Sequence, residues 1–458
     1  MRALPKPWRI RITEPLKQKN GDLSPAVLIL GFAVLIVIGA LLLILPISSQ
    51  TGEITPPGDA FFSATSAVCV TGLVVRGTGT YWSLFGQAVI LILIQLGGLG
   101  FMTSATLLVI ALGRHIGLRE KLLVGESLGI RKLGGLTNLI RNIAIFTFTS
   151  ELIGTLLFYF YFSSHTIHGM PIWESIFQAV SSFNNAGFDL FGSFSSLADY
   201  PHDTFLLLTT AVLAILGGIS YVVVADVFAR KRFSYFALDT KIVLTSTATL
   251  LLLGMAVILF TEFSNPATLG GLAVSDKLIV SFFQSVTART SGFTAISMSS
   301  VTHYCLFFII VLMFIGGASG STAGGIKVNT FGILIATLIS SLRGQEFAGY
   351  FGREFVTQQI YRALAVVILS LAIITMVVFV LTITEKYDFL DLFFEAVSAF
   401  ANVGLSTGVT SGLSLTGKLT ITFTMFIGRL GPLAIALALI ERQRPSTFRY
   451  PQEAVRIG

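Results

Sequence analysis

Charge is scarce in this sequence. Of its 458 residues, 12% are Asp, Glu, Lys or Arg, about half the ~25% typical of a soluble domain. That shortage excludes an ordinary water-soluble globular protein. Histidine is also rare, at five, and cysteine rarer, at two: Cys69 and Cys305. Two cysteines allow one disulfide at most, and neither they nor the histidines stand at metal-ligand spacing. Both cysteines read as small apolar packing residues. No paired-carboxylate motif, Ser-His-Asp set or Cys-His set occupies a plausible site, so the chain is not expected to be an enzyme and no cofactor is expected in it.

What the sequence has instead is apolar length. Hydrophobic residues make up 53% of it, and its mean hydropathy is +0.83. The stretches 77–113 and 290–326 carry no Asp, Glu, Lys or Arg, and each exceeds the ~20 residues a bilayer-spanning helix needs. The class is a polytopic, all-α membrane protein whose medium is the lipid bilayer. The basic segment 1–22 leads into a full-length apolar stretch, the pattern of a retained start-transfer helix rather than a cleaved signal peptide.

A net charge of +7 does not indicate nucleic acid, because the basic residues are segregated. They cluster before the first helix (Arg2 to Lys19), between Arg114 and Arg141, around Arg230 to Lys241, at Arg343, Arg353 and Arg362, and from Arg442 to Arg456. These clusters alternate with segments containing Asp59, Glu174, Asp189, Asp199, Asp203, Asp276, Glu385, Asp388, Asp391 and Glu395. The positive-inside rule places the basic set and both termini in the cytoplasm. The acidic set then faces outward, either as a rim that concentrates cations or simply as solvated loops.

Four short segments end at a glycine in the same way: Phe62-Ser-Ala-Thr-Ser66 before Gly72, Phe177-Gln-Ala-Val-Ser181 before Gly187, Phe283-Gln-Ser-Val-Thr287 before Gly292, and Phe394-Glu-Ala-Val-Ser398 before Gly404. Each lies between apolar stretches. The chain therefore divides into a cytoplasmic N-terminus (1–22), repeats 23–113, 114–236, 237–343 and 344–441, and a cytoplasmic tail (442–458). Each repeat reads as helix, re-entrant half-helix, helix: 25–45, 58–69 and 85–111; 138–162, 173–183 and 204–228; 238–263, 277–288 and 304–342; 358–384, 389–400 and 418–439. Asp59, Glu174 and Asp391 suit the first turn of a helix, as do Pro56 and Pro171. In the third copy Asp276 takes the proline position. Half-helices that start outside point their carbonyl ends into the membrane, which favours a cation on a shared axis.

The filter candidates are Val70-Thr71-Gly72, Asn185-Ala186-Gly187, Thr290-Ser291-Gly292 and Asn402-Val403-Gly404. Backbone carbonyls there would replace the hydration shell of K⁺, and glycine permits the backbone angles required. One glycine per copy secures one ring, so modest discrimination against Na⁺ is expected. A second repeat follows: Leu96-Gly97-Gly98, Leu216-Gly217-Gly218, Ile315-Gly316-Gly317 and Ile427-Gly428-Arg429. Glycine pairs of this kind allow close helix packing.

Two features read as gates. Gly316, Gly317, Ser319, Gly320, Ser321, Thr322, Gly324 and Gly325, followed by Lys327, cannot sustain a helix, since each glycine costs about 1 kcal/mol relative to alanine. They form an intramembrane loop rather than a phosphate-binding loop, whose Gly-Lys-Ser/Thr order is absent. Arg429, mid-helix, is functional by default. It either opposes cations while pairing with the loop or with carbonyls, or merely holds helices together. Glu151, on a face with Thr147 and Thr155, reads as an interhelical contact more readily than an ion ligand. Asp226 and Arg230 are spaced to pair along a helix.

The strings Ile94-Gln-Leu-Gly-Gly-Leu-Gly-Phe101, Phe183-Asn-Asn-Ala-Gly-Phe188 and Met425-Phe-Ile-Gly-Arg-Leu-Gly-Pro432 resemble the Trk/Ktr/HKT superfamily of K⁺ transporters, over roughly 23–450. Without an additional N-terminal helix pair, the chain looks most like the KtrB type. The resemblance implies potassium uptake across a bacterial plasma membrane, with glycine at position 72 going with K⁺ and serine there with Na⁺ preference. It also implies the loop gate, a homodimer with one pore per protomer, a cytosolic KtrA-type nucleotide-binding ring, and stimulation by Na⁺. The rival within transport is a TrkH-like or weakly selective Na⁺/K⁺ conductor. A membrane enzyme would need clustered acids, histidines or cysteines, and a non-conducting scaffold would not need a fourfold filter.

Overall fold

The computed structural model describes residues 25–100, 103–104, 136–165, 167, 169–192 and 194–431. The N-terminal and C-terminal basic segments, the basic connection from Arg114 to Lys132, and the expected helix ends at 111 and 439 lie outside the described residues.

The first repeat comprises α1 (Pro25–Ile44), the half-helix α2 (Pro57–Val68) and α3 (Leu84–Leu99). The second has α4 (Leu136–Phe162), half-helix α5 (Pro171–Phe183), then α6 (Thr204–Gly218) and α7 (Tyr221–Arg230). The third has α8 (Leu238–Glu262), half-helix α9 (Val274–Thr287), α10 (His303–Phe314) and α11 (Val328–Leu342). A two-residue hairpin, β1 (Gly349–Tyr350) with β2 (Arg353–Glu354), leads to the fourth: α12 (Thr357–Thr384), half-helix α13 (Phe389–Ala401) and α14 (Leu415–Leu430). The order helix, half-helix, helix is observed in all four.

Composition explains these elements. Among the described residues, three continuous helices, Thr137–Phe162, Leu238–Glu262 and Thr357–Thr384, are long and apolar enough to cross a membrane. They leave Phe160, Phe260 and Phe379 exposed, as a lipid-facing surface allows. Each half-helix carries an acid in its first turn: Asp59, Glu174, Asp276 and Asp391. The third copy therefore keeps this signal without a proline. α3 and α14 start at Ser83 and Ser414, whose hydroxyls accept from Gly86 N and Gly417 N, the expected N-cap chemistry.

The second helices depart from expectation. The stretch 204–228 is not one helix: α6 and α7 meet at 90°, and Ser220 between them has φ +51°. The cause is tertiary, because backbone N–H groups of the third repeat occupy the carbonyls that would continue the helix. Ala318 N donates to Gly218 O at 2.9 Å, and Thr322 N to Gly217 O at 3.3 Å. α3 and α14 also stop just past their glycine motif, at Gly100 and Gly431, both with positive φ. In the third repeat the interruption spans 315–327, as its glycine content requires.

The repeats close into a ring. Each half-helix packs on the second helix of the preceding repeat: α5 on α3, α9 on α6, α13 on α10, and α2 on α14. At the start of each repeat motif, Phe62, Phe177, Phe283 and Phe394 are fully buried. In lipid these contacts act through van der Waals packing rather than water exclusion.

Candidate functional site

The four motif glycines meet at the centre of the ring. Gly72, Gly187, Gly292 and Gly404 have φ of +89°, +67°, +78° and +94°, angles that L side chains rarely adopt. A Cβ on Gly72 would collide with Ala186 O, on Gly187 it would lie 3.0 Å from Ser291 O, on Gly292 it would collide with Val403 O, and on Gly404 with Thr71 O. The circuit closes, first repeat to second, third, fourth and back. The residue before each glycine turns its carbonyl onto its neighbour's glycine.

A second special position is less evident from sequence. Two residues before each glycine, Val70, Asn185, Thr290 and Asn402 also have positive φ, at +56°, +58°, +79° and +51°. Asparagine tolerates this conformation, but β-branched Val70 and Thr290 are outliers. Strain of this kind persists where surrounding structure imposes it, and the imposing contacts are visible. Thr71 N, Ala186 N and Val403 N donate to the carbonyls of Ser66, Ser181 and Ser398 at 2.8, 2.8 and 2.9 Å, and Gly292 N to Thr287 O at 3.3 Å. Gly72 N and Gly404 N also donate to the Ser66 and Ser398 hydroxyls at 3.1 and 3.2 Å, while Ser181 Oγ donates to Phe188 O at 2.5 Å. The hydroxyl ending each Phe-x-x-x-Ser/Thr motif thus marks the residue that anchors the strand after it. Asn402 Nδ2 joins the fourth strand to the first through Thr71 Oγ1 at 2.8 Å.

All four glycines line one cavity of about 520 Å³. Of the acids singled out in sequence, Asp189 and Asp199 line it. Several others are engaged in structural contacts. Asp59 accepts from Arg76 and Lys418, both at 2.8 Å. Asp276 pairs with His202 at 2.7 Å, Asp203 accepts from Tyr161 at 2.8 Å, and Glu395 takes the hydroxyls of Ser406 and Thr410.

Behind the glycine ring, the first glycine of each pair is closely packed, as the sequence reading expected. A Cβ on Gly97, Gly217 or Gly428 would collide with Val68 O, Phe183 O or Phe400 O, the carbonyl end of that repeat's own half-helix. In the third repeat Gly316 lies instead against Gly324 O and the Thr290 methyl.

The 315–327 loop sits beneath this floor and touches every repeat or a residue bound to it. Its ends pair, with Gly316 N on Ile326 O and Val328 N on Gly317 O, each at 2.9 Å. Ser319 N donates to Asn329 Oδ1 at 2.9 Å, Ser321 Oγ to Ala318 O at 2.7 Å, and Gly320 and Gly325 supply positive φ turns. The Asn185 amide oxygen accepts from Thr322 Oγ1 at 3.0 Å and from Gly218 N at 3.2 Å, and its nitrogen donates to Ala214 O at 3.1 Å. Gly324 abuts Ala401 O and Asn402. Arg429 donates from Nη1 to Thr322 O and from Nη2 to Gly97 O, both at 2.5 Å, and Lys327 Nζ to Ala323 O at 2.5 Å. Among the described residues neither cation is in an ion pair.

Glu151 is an interhelical contact. It accepts from Asn184 Nδ2 at 2.9 Å, and the same nitrogen lies 3.0 Å from Gln95 Oε1, which links α4, α5 and α3. Asp226 and Arg230 pair at 2.7 Å. Sequence reasoning passed over Arg289, buried immediately before Thr290, with Nη2 on Gly316 O at 3.0 Å. Its signal was available, since it is a charge directly bordering a charge-free stretch.

A closed ring of backbone carbonyls at the ends of four half-helices suits a dehydrated monovalent cation. Comparison with known proteins agrees with that chemistry. Residues 24–450 match the family described as TrkH, cation transport protein. The chain is 43% identical over 437 residues to the Ktr system potassium uptake protein B of Bacillus subtilis, covering 95% of this chain and 96% of that protein. It is 38% identical to the potassium/sodium uptake protein NtpJ of Enterococcus hirae, over 96% of this chain and 99% of that one. Its fold matches the crystal structure of the potassium transporter TrkH from Vibrio parahaemolyticus with a TM-score of 0.73, at 19% identity, over 93% of this chain and 86% of that one. The chain belongs to the TrkH family of cation transport proteins, a family of membrane transporters and not of enzymes.

Proposed function

We propose that this chain is the membrane subunit of a potassium uptake system, with K⁺ passing through the ring of Gly72, Gly187, Gly292 and Gly404. The observation that carries this reading is the closure of that ring, with the carbonyls of Thr71, Ala186, Ser291 and Val403 each against the glycine of the preceding repeat around the ring. The carbonyl ends of α2, α5, α9 and α13 add partial negative charge around the same point. Relatives named as potassium uptake proteins support K⁺ as the ion.

The 316–325 loop, Lys327 and Arg429 form the gate. For ions to pass, the loop must leave the floor of the filter and release its bonds to Gly217, Gly218, Asn185 and Arg429. The active assembly is a homodimer in a bacterial plasma membrane, both termini cytoplasmic, controlled by a KtrA-type nucleotide-binding ring and stimulated by Na⁺. These assembly features rest on the family resemblance.

The test is expression in a cell lacking its own K⁺ uptake, with and without such a ring. Growth at low external K⁺ is expected. A chain inserted in the membrane with its partner that restores no K⁺ uptake would sink the proposal. A second reading, a weakly selective Na⁺/K⁺ conductor, is favoured by one specific feature: each strand has one glycine, and the other left-handed position carries Val70, Asn185, Thr290 or Asn402. The relative named for potassium/sodium uptake agrees with it. Comparable Na⁺ and K⁺ influx in the same cells would favour that reading.

A further inference from the structure

One position differs among the four filters in a way that the symmetry of the ring does not require. The residue before the first left-handed position is Cys69, Asn184, Arg289 and Ala401 in repeats one to four. Only the third is charged, and the third repeat is the one that carries the loop. Arg289 is buried, 9% exposed, and donates from Nη2 to Gly316 O at 3.0 Å and from Nη1 toward Thr247 O at 3.5 Å. Its Nε has no partner. None of the ion pairs among the described residues includes it.

A neutral donor would suffice to hold one carbonyl, and a buried cation without a carboxylate is an expensive alternative. Its position indicates what the charge does. One residue along the chain is Thr290, held at φ +79°. At the other end of the guanidinium is Gly316, where the loop leaves α10. In the other three repeats the equivalent glycine is packed on a half-helix carbonyl. Here that packing is replaced by a polar contact that can be made and broken.

We propose that Arg289 is a positioning residue that couples the loop to the filter. While the loop is in place, Gly316 O holds the guanidinium, and the adjoining backbone holds Thr290 and Ser291 in the ring. When the loop moves, the guanidinium loses that acceptor and must be satisfied elsewhere, so the innermost part of the third strand shifts with it. Ion affinity at the filter and opening at the gate are therefore linked through one side chain. This rests on the proposed potassium pathway.

The experiment compares wild type, Arg289→Gln, Arg289→Lys and Arg429→Ala in the K⁺-uptake-deficient cell with the nucleotide-binding partner present. KM for K⁺ and maximal rate are each normalised to protein in the membrane. Loss of one charge-assisted hydrogen bond predicts that Arg289→Gln moves both KM and maximal rate by about threefold or more. Arg429→Ala, which touches the loop but no filter strand, moves the maximal rate with KM nearly unchanged. An Arg289→Gln protein that alters one parameter alone, or neither, overturns the coupling. Where Arg289→Gln fails to reach the membrane, Arg289→Lys decides by the same criterion, because a single ammonium cannot reproduce the fork that faces Gly316 O and Thr247 O. Wild type that takes up no K⁺ would instead overturn the potassium reading on which the coupling rests.

Discussion

The guanidinium of Arg429, in the last turn of α14 in the fourth repeat, donates to the backbone carbonyl of Thr322 in the loop of the third. Its other nitrogen donates to Gly97 O of the first repeat. One side chain therefore ties a glycine-rich segment with little helical stability of its own to α14, which carries it, and to α3.

Replacing Arg429 with alanine removes the bond to the loop and the charge beneath the filter. A hydrogen bond from a charged donor is worth about 1.5–3 kcal/mol, so the closed arrangement should lose roughly ten- to a hundredfold of its advantage. Initial rates of K⁺ or Rb⁺ uptake should rise, or lose their dependence on the cytosolic partner. Unchanged rates from a folded variant would leave Arg429 as a helix tie alone.

Gly72→Ser meets two obstacles at once. Its φ of +89° disfavours a side chain, and a Cβ there collides with Ala186 O. The ring must widen or distort, at a cost on the order of 1–3 kcal/mol for the backbone alone. Discrimination against Na⁺ should fall by about tenfold in paired K⁺ and Na⁺ flux measurements. Retained discrimination would show that this ring does not select the ion.

Ser66→Ala and Ser398→Ala remove the hydroxyls that accept from Gly72 N and Gly404 N. An unsatisfied buried donor costs about 1–3 kcal/mol. Both variants should insert normally but show a raised KM for K⁺, with the double variant worse than either single one. Wild-type KM in both would mean that the backbone bonds to Ser66 O and Ser398 O hold the strands unaided.

Asp59 clasps the first repeat to the fourth by receiving Lys418 at 2.8 Å, while its other oxygen receives Arg76. The Arg76 side chain is 41% exposed and contributes little, whereas Lys418 is largely buried. Asp59→Ala should cost on the order of 2 kcal/mol and lower the unfolding temperature of the detergent-solubilised protein by several degrees. Asp59→Asn should cost less, because an amide still accepts one hydrogen bond. Equal stabilities for wild type and both variants would dismiss the clasp.

Periodicity and composition made much of this architecture legible. Apolar length marked the spans, a first-turn acid marked the half-helices, and four glycines at matching positions marked the central ring. Glycine is readable at long range because its missing Cβ is a local property with few substitutes. The left-handed positions at Val70 and Thr290 were not readable, since nothing in a β-branched residue announces a conformation that its neighbours impose. The break between α6 and α7 was equally hidden. Gly217 and Gly218 permit a helix, and only the arrival of Ala318 N and Thr322 N at their carbonyls ends it.

Membrane residence, construction from four like units, the glycine each unit sends to the centre and the stretch of the third unit that cannot stay helical all followed from the sequence alone. Those are consequences of local chemistry: transfer of apolar surface, glycine's conformational freedom and the propensity of each segment. The assembled fold added which carbonyls Arg289, Lys327 and Arg429 hold and that Asp59, Asp203, Asp276 and Glu395 are engaged in contacts with other side chains. Those depend on which distant backbone groups are left without a hydrogen-bond partner once the ring has closed, a property of the assembled ring that no single segment carries.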